Sequence, residues 1–366
     1  MSLAAFPTVR ASKLRRRSVG NLLRMGHCAP SVMQTVLDAS ATKDTWLVKL
    51  TAGLPGGIGN TRGECGGLTA PLLVIGLRHG RDEMAAGLPV AVDKGHDLLQ
   101  RFQAAHGATQ CSAILGDARV PLRCIGVVRE APAMCAQCLP ANSGGAVPPA
   151  AREAYRELYR HWQEGGFHCA DAVFAELGGT VPAPPELRDA TTAFMGGTLF
   201  TGMTCSALTA GVMALGMRLA EVENSRAKVL RMIGTMAVGG DAAADELNAF
   251  NPVMNLGHKL ASWFKREFGS TQCRALTGCE FASATDVRAY IANDGTASCR
   301  RIAHRVTARV AELVEERSNP DKTQESLTGG RPALDERETD RKEQEGPLRE
   351  GHLRDRGQPV TSALCP

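Results

Sequence analysis

Residues 54–78 read LPGGIGNTRGECGGLTAPLLVIGLR, and residues 194–218 read FMGGTLFTGMTCSALTAGVMALGMR. The two stretches align without a gap and pair Cys65 with Cys205. Each is a Gly-rich run that leads through a cysteine into an apolar segment, with Leu68, Leu72, Ile75 and Leu77 in one and Leu208, Val212, Leu215 and Leu219 in the other. That spacing predicts a buried-face helix in both places, opening at or near the cysteine.

Working outward, two further blocks repeat. Gly26-His27-Cys28-Ala29 pairs with Phe167-His168-Cys169-Ala170 at an offset of 141, and the middle block is offset by 140. GHDLLQRFQAAHGATQC at 95–111 pairs with GHKLASWFKREFGSTQC at 257–273, offset by 162, so the second copy holds an insertion within about Glu221 to Phe250. Order and spacing kept over three blocks imply an internal duplication. The organisation read from this is a basic arm at 1–17 carrying Arg15, Arg16 and Arg17, a first repeat at 18–138, a linker at 139–150 (LPANSGGAVPPA) and a second repeat at 151–317. Residues 318–366 follow as a tail of Pro, Gly and mixed charge. The tail lacks apolar periodicity, is expected to be disordered, and takes Cys365 with it out of any site.

At 366 residues the chain has room for two cores, so its 12 cysteines are not needed as staples for a small domain. Apolar residues make up 43% but aromatics only 4%, a balance that favours helices over sheets. The expected fold is all-α: two similar helical bundles, packed as a pseudo-dimer about a pseudo-two-fold axis. The net charge of +4 is concentrated in the first 37 residues and reads as a solvated end. Aromatic platforms for stacked bases are too sparse for a nucleic-acid binder. Neither a signal-peptide core nor an apolar run of about eighteen residues occurs, which points to a cytoplasmic protein without a membrane role. In a reducing cytosol, many cysteines argue for metal ligation or reversible redox chemistry rather than fixed disulfides.

Cys28, Cys65, Cys169 and Cys205 fall at helix starts, and Cys299 is expected to open another helix behind Thr296 and Ser298 as caps, with Ile302, Val306, Val310 and Leu313 as its stripe. The unpaired N–H groups of a first turn favour a thiolate, so depressed thiol pKa values are expected there. A lone buried cysteine is usually a small apolar side chain, but repetition in order across two halves argues for chemistry. His27 and His168 directly precede cysteines, while His96 and His258 are expected on helix surfaces; caps, hydrogen bonds and solvent contacts account for most such histidines. Cys135-Ala136-Gln137-Cys138 is a CxxC that suits a dithiol or two ligands of one metal, yet it stands before a linker rather than at the start of a helix after a strand. Gly56-Gly57-Ile58-Gly59 lacks the Lys-Ser/Thr of a phosphate loop and reads as a turn into the helix.

Together these blocks resemble the C_GCAxxG_C_C family of redox-active proteins, once per half, over most of residues 18–315. The second half carries Cys169-Ala170, Gly202-Met-Thr-Cys205-Ser-Ala207, Phe268-Gly269-Ser-Thr-Gln-Cys273-Arg274 and Cys299, with Cys279 as an additional thiol. The first half matches through Cys28, Cys65 and Cys111, and its fourth member is ambiguous among Cys124, Cys135 and Cys138. Cys138 lies at the spacing nearest to that of Cys299, Asp117 stands where Cys279 does, and no amphipathic helix is read after these late cysteines. Neither half has the Gly directly before its second cysteine that the family name spells.

The resemblance implies a redox protein with a four-cysteine constellation per half, serving either as ligands of an iron–sulfur cluster or as a dithiol/disulfide couple, for electron transfer with a partner protein. Cys169, Cys205, Cys273 and Cys299 are the expected ligands or redox thiols, joined in the first half by Cys28, Cys65, Cys111 and Cys138. Activity is expected to persist in the second half, an oxidoreductase or electron-transfer role being open. The alternative is a structural zinc module acting as a protein-interaction platform. A third possibility is a thiol-nucleophile enzyme with His168 or His258 as base.

Overall fold

The computed structural model describes residues 10–42, 44–81, 84–85, 87–116, 122–140, 146–221, 226–238 and 250–318. Asp117, residues 141–145 of the linker and the tail from 319 with Cys365 lie outside the described residues.

The first repeat contains α1 (Ala11–Met25), α2 (Cys28–Ala39), α3 (Thr45–Thr51), α4 (Gly66–His79), α5 (Val90–His106), α6 (Cys111–Leu115) and α7 (Leu122–Cys138). The second contains α8 (Pro149–Glu164), α9 (Cys169–Glu176), α10 (Leu187–Ala190) with a 3-10 turn at Thr191–Phe194, and α11 (Ser206–Leu219). It continues through α12 (Arg226–Val238), α13 (Pro252–Phe268), α14 (Cys273–Thr277), α15 (Ala284–Ala292) and α16 (Gly295–Ser318). Among the described residues the only sheet is the two-residue pairing of Met84–Ala85 with Leu88–Pro89, so the fold is all-α as composition implied. Arg15, Arg16 and Arg17 lie on α1, which begins well inside the stretch read as an arm.

The duplicated helices α4 and α11 are the centre of the molecule. Their residues are apolar or small on every side, and Gly66–Gly76 and Ser206–Met217 are buried without interruption. A helix apolar all round must be enclosed by neighbours on all faces. α4 is enclosed by α2, α5, α7 and α10, and α11 by α3, α9, α13 and α16. The largest apolar cluster accordingly runs through both repeats, from Val36, Leu72 and Phe102 to Leu208, Leu215 and Val306. The two bundles share this core rather than each closing its own. A smaller cluster, aromatic around Trp162, Phe200, Phe281 and Tyr290, lies mainly in the second repeat and takes Leu88 and Val92 from the first.

Contacts between the repeats are reciprocal. α3 of the first packs on α11 of the second, and α10, its counterpart, packs on α4. Close approach depends on one glycine at each crossing: a Cβ on Gly76 would stand 2.5 Å from the Asp189 carbonyl oxygen, and one on Gly216 would collide with the carbonyl oxygen of Lys49. Both glycines and both carbonyls occupy matched repeat positions. The insertion in the second repeat supplies α12, which lies against α1. Just after it, Phe250 meets the His27 ring edge-on at 5.0 Å.

Candidate functional site

Each repeat builds its thiol site from the same three local devices. The first is a helix start: Cys28 and Cys169 are the opening residues of α2 and α9, preceded by His27 and His168 in extended conformation. Next comes the Gly-rich run before α4 and α11, where Cys65 and Cys205 occupy the N-cap. This run is not a simple turn. Residues 56–60 (Gly56, Gly57, Ile58, Gly59, Asn60) all have positive φ, and so do residues 196–200 (Gly196, Gly197, Thr198, Leu199, Phe200). Five successive left-handed residues make a single left-handed helical turn, a conformation costly for every non-glycine in it. Backbone bonds such as Ile58 N to Leu54 O at 3.0 Å, and Thr198 N to Phe194 O at 3.3 Å, hold it closed. The third device is a short backbone bridge. Cys65 N donates to Thr109 O at 2.9 Å and Cys111 N to Gly63 O at 2.7 Å, and the second repeat repeats the pair with Cys205 N to Thr271 O at 2.8 Å and Cys273 N to Met203 O at 2.6 Å. The second and third cysteines of each half are thereby locked side by side at the starts of α4 and α6, and of α11 and α14.

The fourth thiol departs from the reading of the sequence in both halves. Cys299 does not open its helix but is the fifth residue of α16, which starts at Gly295. Thr296 lies inside that helix and its hydroxyl meets His161 Nε2 at 3.1 Å. In the first half, the thiol electrostatically coupled to Cys28, Cys65 and Cys111 is Cys124, two residues into α7. Cys138 sits at the far end of α7 and is coupled to Asp97 and Cys135 instead. α7 is thus the counterpart of α16, a helix following the fourth cysteine where none was read. Its signal, Cys124, Val127, Val128, Ala131, Cys135 and Cys138 on one face, is interrupted by Gly126 and Pro132.

The two sets are then Cys28, Cys65, Cys111 and Cys124, and Cys169, Cys205, Cys273 and Cys299, whose members raise one another's pKa through space. Cys279 joins the second set through Cys273 and Cys299. All described cysteines are free thiols, with Cys28, Cys124 and Cys299 half-buried and the other members of the two sets buried. Backbone N–H groups do reach the sulfurs, as the helix-start argument required: Ala29 and Gly56 donate to Cys28, Gly67 to Cys65, Gly196 to Cys169, and Leu208 and Ala207 to Cys205. The expected thiolates nevertheless do not follow, because burial outweighs these bonds. It pushes Cys28 and Cys205 up to about 12, Cys124 up to about 11, and Cys65, Cys169 and Cys273 well above the ordinary thiol value. Cys111 and Cys299 are also raised by burial, opposed in Cys299 by the Tyr290 hydroxyl, whose oxygen stands 3.3 Å from its sulfur.

Four thiols are the right donors for an iron–sulfur cluster or zinc. Among the described residues, however, no three His, Cys, Asp or Glu side chains converge closely enough to hold one metal ion. The histidines serve structure. Burial pushes His27 down to about 4 and His168 down to about 3, leaving both neutral at neutral pH. His96 is buried, contrary to its expected surface position, with Nε2 2.8 Å from the Leu199 carbonyl oxygen across the repeat boundary. His258 is exposed on α13.

Compared with known families, residues 26–138 and 167–313 each match the family described as "Putative redox-active protein (C_GCAxxG_C_C)". No curated protein and no solved structure matches the chain.

Proposed function

The chain belongs to the C_GCAxxG_C_C family through both of its repeats, and from that premise we propose that it is a thiol-based electron carrier in which each repeat cycles between a dithiol and a disulfide. The observation that carries this reading is the double set of neighbouring free thiols at repeat-matched positions, each with half-buried members, Cys28 and Cys124 in the first and Cys299 in the second.

Cys299 is the entry point in the second repeat. It is the one half-buried member of its set, its charge acts on both Cys169 and Cys205, and the Tyr290 hydroxyl, 3.3 Å from its sulfur, favours its thiolate. The reaction is exchange with an external disulfide carried by a partner protein. The Cys299 thiolate attacks one sulfur of that disulfide, releasing the other as a thiol. A second thiolate, from Cys169 or Cys205, then attacks the mixed disulfide, forming an internal S–S bond and releasing the second external thiol. Two electrons and two protons pass to the partner. The reverse sequence reloads the dithiol. No step runs through a metal, since the thiols do not converge on one; an iron–sulfur cluster on the same four sulfurs is the competing use.

The reciprocal contacts support reading the two repeats as a fused pseudo-dimer. The test is to purify the full chain anaerobically, measure iron and zinc, and treat the reduced protein with oxidised glutathione. Peptide mass spectrometry is expected to show Cys299 disulfide-bonded to Cys169 or Cys205. Stoichiometric iron with visible absorbance, and no internal disulfide, overturns the dithiol cycle in favour of a cluster. Stoichiometric zinc whose chelation unfolds the protein overturns it in favour of a structural site.

A further inference from the structure

Arg62 has a φ of 63°, a left-handed conformation that a side chain makes costly. Its N–H donates to Gly56 O at 2.8 Å, and its carbonyl accepts the Ser112 N–H at 3.1 Å. The counterpart in the second repeat is Gly202, with φ 73° and the matching bond from Arg274 N at 3.0 Å. Ser112 and Arg274 are matched as well, each directly following the third cysteine of its set. Each repeat therefore carries one arginine at this bridge, but from opposite sides of it. The two sources exclude one another, since a Cβ on Gly202 would stand 2.8 Å from the Cβ of Arg274. The first repeat has the short Ser112 where the second has Arg274, and takes its arginine from position 62 at the cost of a strained backbone.

The two guanidinium groups differ in what they meet. Arg274 stands 3.2 Å from Glu280 Oε1 and donates to the Thr201 carbonyl at 2.8 Å. Arg62 is exposed and, among the described residues, makes no ion pair and no side-chain hydrogen bond. Its charge acts on Cys111, where it opposes the upward push of burial. In the same set, burial pushes Cys28 up to about 12 and Cys65 well above the ordinary thiol value. Cys273, the counterpart of Cys111, is pushed well above it by burial and then by the thiols around it. A cation near a thiol favours the thiolate, which is the attacking form in disulfide exchange.

We propose that Arg62 is a positioning residue of the first thiol set: its guanidinium, held at the start of α6, makes Cys111 the thiol that resolves a mixed disulfide on Cys124. This rests on the dithiol cycle proposed above and names the second thiol of that cycle in the first repeat. The Cys124 thiolate attacks one sulfur of an external disulfide, and the other sulfur leaves and takes up a proton. The Cys111 thiolate then attacks the Cys124 sulfur. The Cys111–Cys124 bond forms, the bond from Cys124 to the external sulfur breaks, and the second external thiol is released with a proton. Two electrons and two protons have passed to the external disulfide. In the second repeat, where Arg274 is paired with Glu280, resolution falls to Cys169 or Cys205.

The test treats the reduced full chain with bis(2-hydroxyethyl) disulfide, which is uncharged, and follows both repeats by peptide mass spectrometry. The unaltered protein is expected to form a Cys111–Cys124 disulfide. In Arg62→Gln the external adduct on Cys124 is expected to accumulate and to resolve about fivefold more slowly, with Arg62→Lys restoring the rate and the second repeat unchanged. Arg62→Gly keeps both backbone bonds and relieves the positive φ, so it is expected to slow resolution as Arg62→Gln does while melting no lower than the unaltered protein. A lowered melting temperature in Arg62→Gly, an unchanged rate in Arg62→Gln, or a disulfide from Cys124 to Cys28 or Cys65 overturns the proposal. So does slowing with oxidised glutathione but not with the uncharged disulfide, which would make Arg62 a binding group for the reagent's carboxylates. No internal disulfide in either repeat overturns the dithiol cycle itself. Arg62 is then judged by iodoacetamide labelling of Cys111 in the reduced chain, which Arg62→Gln is expected to slow by a similar factor; equal labelling overturns its role as well.

Discussion

Glu64 and Thr204 occupy the same position in the two repeats, and they are hydrogen-bonded to each other in the interior. Glu64 is fully buried, and its carboxylate accepts from Thr204 N at 2.9 Å, from the Thr204 hydroxyl, and from Thr198 Oγ1 at 3.1 Å. A residue touching its own repeat counterpart marks the place where a two-fold relation between the halves passes through the molecule. The sequence at that place is asymmetric, an acceptor on one side and a donor on the other, so the interaction requires fusion or some other way of pairing unlike copies.

Removing one of its donors leaves the buried Glu64 carboxylate short of a partner. Thr204→Val keeps the shape but withdraws the hydroxyl, and is expected to cost about 1–3 kcal/mol, the range for leaving a buried group short of a partner. Glu64→Ala leaves the Thr204 N–H and two hydroxyls without their acceptor and is expected to cost more, about 2–4 kcal/mol. Urea unfolding of the full chain measures both; a loss below about 0.5 kcal/mol for either would show that the pair does not hold the repeats together.

The paired glycines give a second, steric prediction. Gly76→Ala and Gly216→Ala each push a methyl group into the backbone of the opposite repeat. Overpacking of this kind typically costs about 1–3 kcal/mol, and the two losses are expected to be similar because the contacts are equivalent. Gly20→Ala is the control. A Cβ there meets nothing within 4 Å, and α1 is expected to gain up to about 1 kcal/mol from the better helix former.

Much of this was legible because the chain holds its own comparison. The aligned stretches around Cys65 and Cys205 located α4 and α11 and predicted a buried face on each, where the structure encloses both on every side. The left-handed turns before them were not legible, since Ile58, Thr198, Leu199 and Phe200 are residues that ordinarily avoid positive φ and are held there by the surrounding backbone bonds. The fourth thiol of the first half was left open among Cys124, Cys135 and Cys138, with Cys138 preferred because its spacing from Cys111 is nearest to that of Cys299 from Cys273. The second half, with α15 between its third and fourth cysteines, stretches that distance, whereas the first half has no described helix there and its fourth thiol comes early. Thiol pKa was misjudged for a physical reason: a helix N-terminus acts over one turn, while burial acts on the whole charge.

The reassignment of the fourth thiol can be checked directly. Cys124→Ser is expected to abolish the oxidised-glutathione-induced disulfide in the first repeat while leaving that of the second, as read by peptide mass spectrometry. Cys138→Ser is expected to leave both, because Cys138 stands with Asp97 and Cys135. The reverse pattern would return Cys138 to the first set.

Acid should destabilise the fold before its carboxylates are neutralised. His27 and His168 titrate in the unfolded chain near 6.5, but burial holds them down to about 4 and about 3 in the fold. Below 6.5 the unfolded state therefore binds more protons than the folded state, so the stability these rings contribute is complete above that pH and is lost as pH falls toward their folded values. By pH 4.5 each accounts for a loss on the order of 2 kcal/mol, at about 1.4 kcal/mol per pH unit. Asp171 does not share this window: despite the upward push of burial, its bond to Arg81 and the charges near it hold its carboxyl below the ordinary value of 3.8. Its contribution persists to lower pH. At the alkaline end the sign reverses, since thiols raised from 9.0 toward 11 or 12 bind more protons when folded, and their stability is present below pH 9 and lost above it. Melting temperatures between pH 4.5 and 11 are thus expected to fall on both sides of a plateau. His27→Asn, which places an uncharged polar side chain at the same helix cap, is expected to flatten the acid limb and leave the alkaline one unchanged; an acid limb as steep as in the unaltered protein would assign the loss to groups other than these buried histidines.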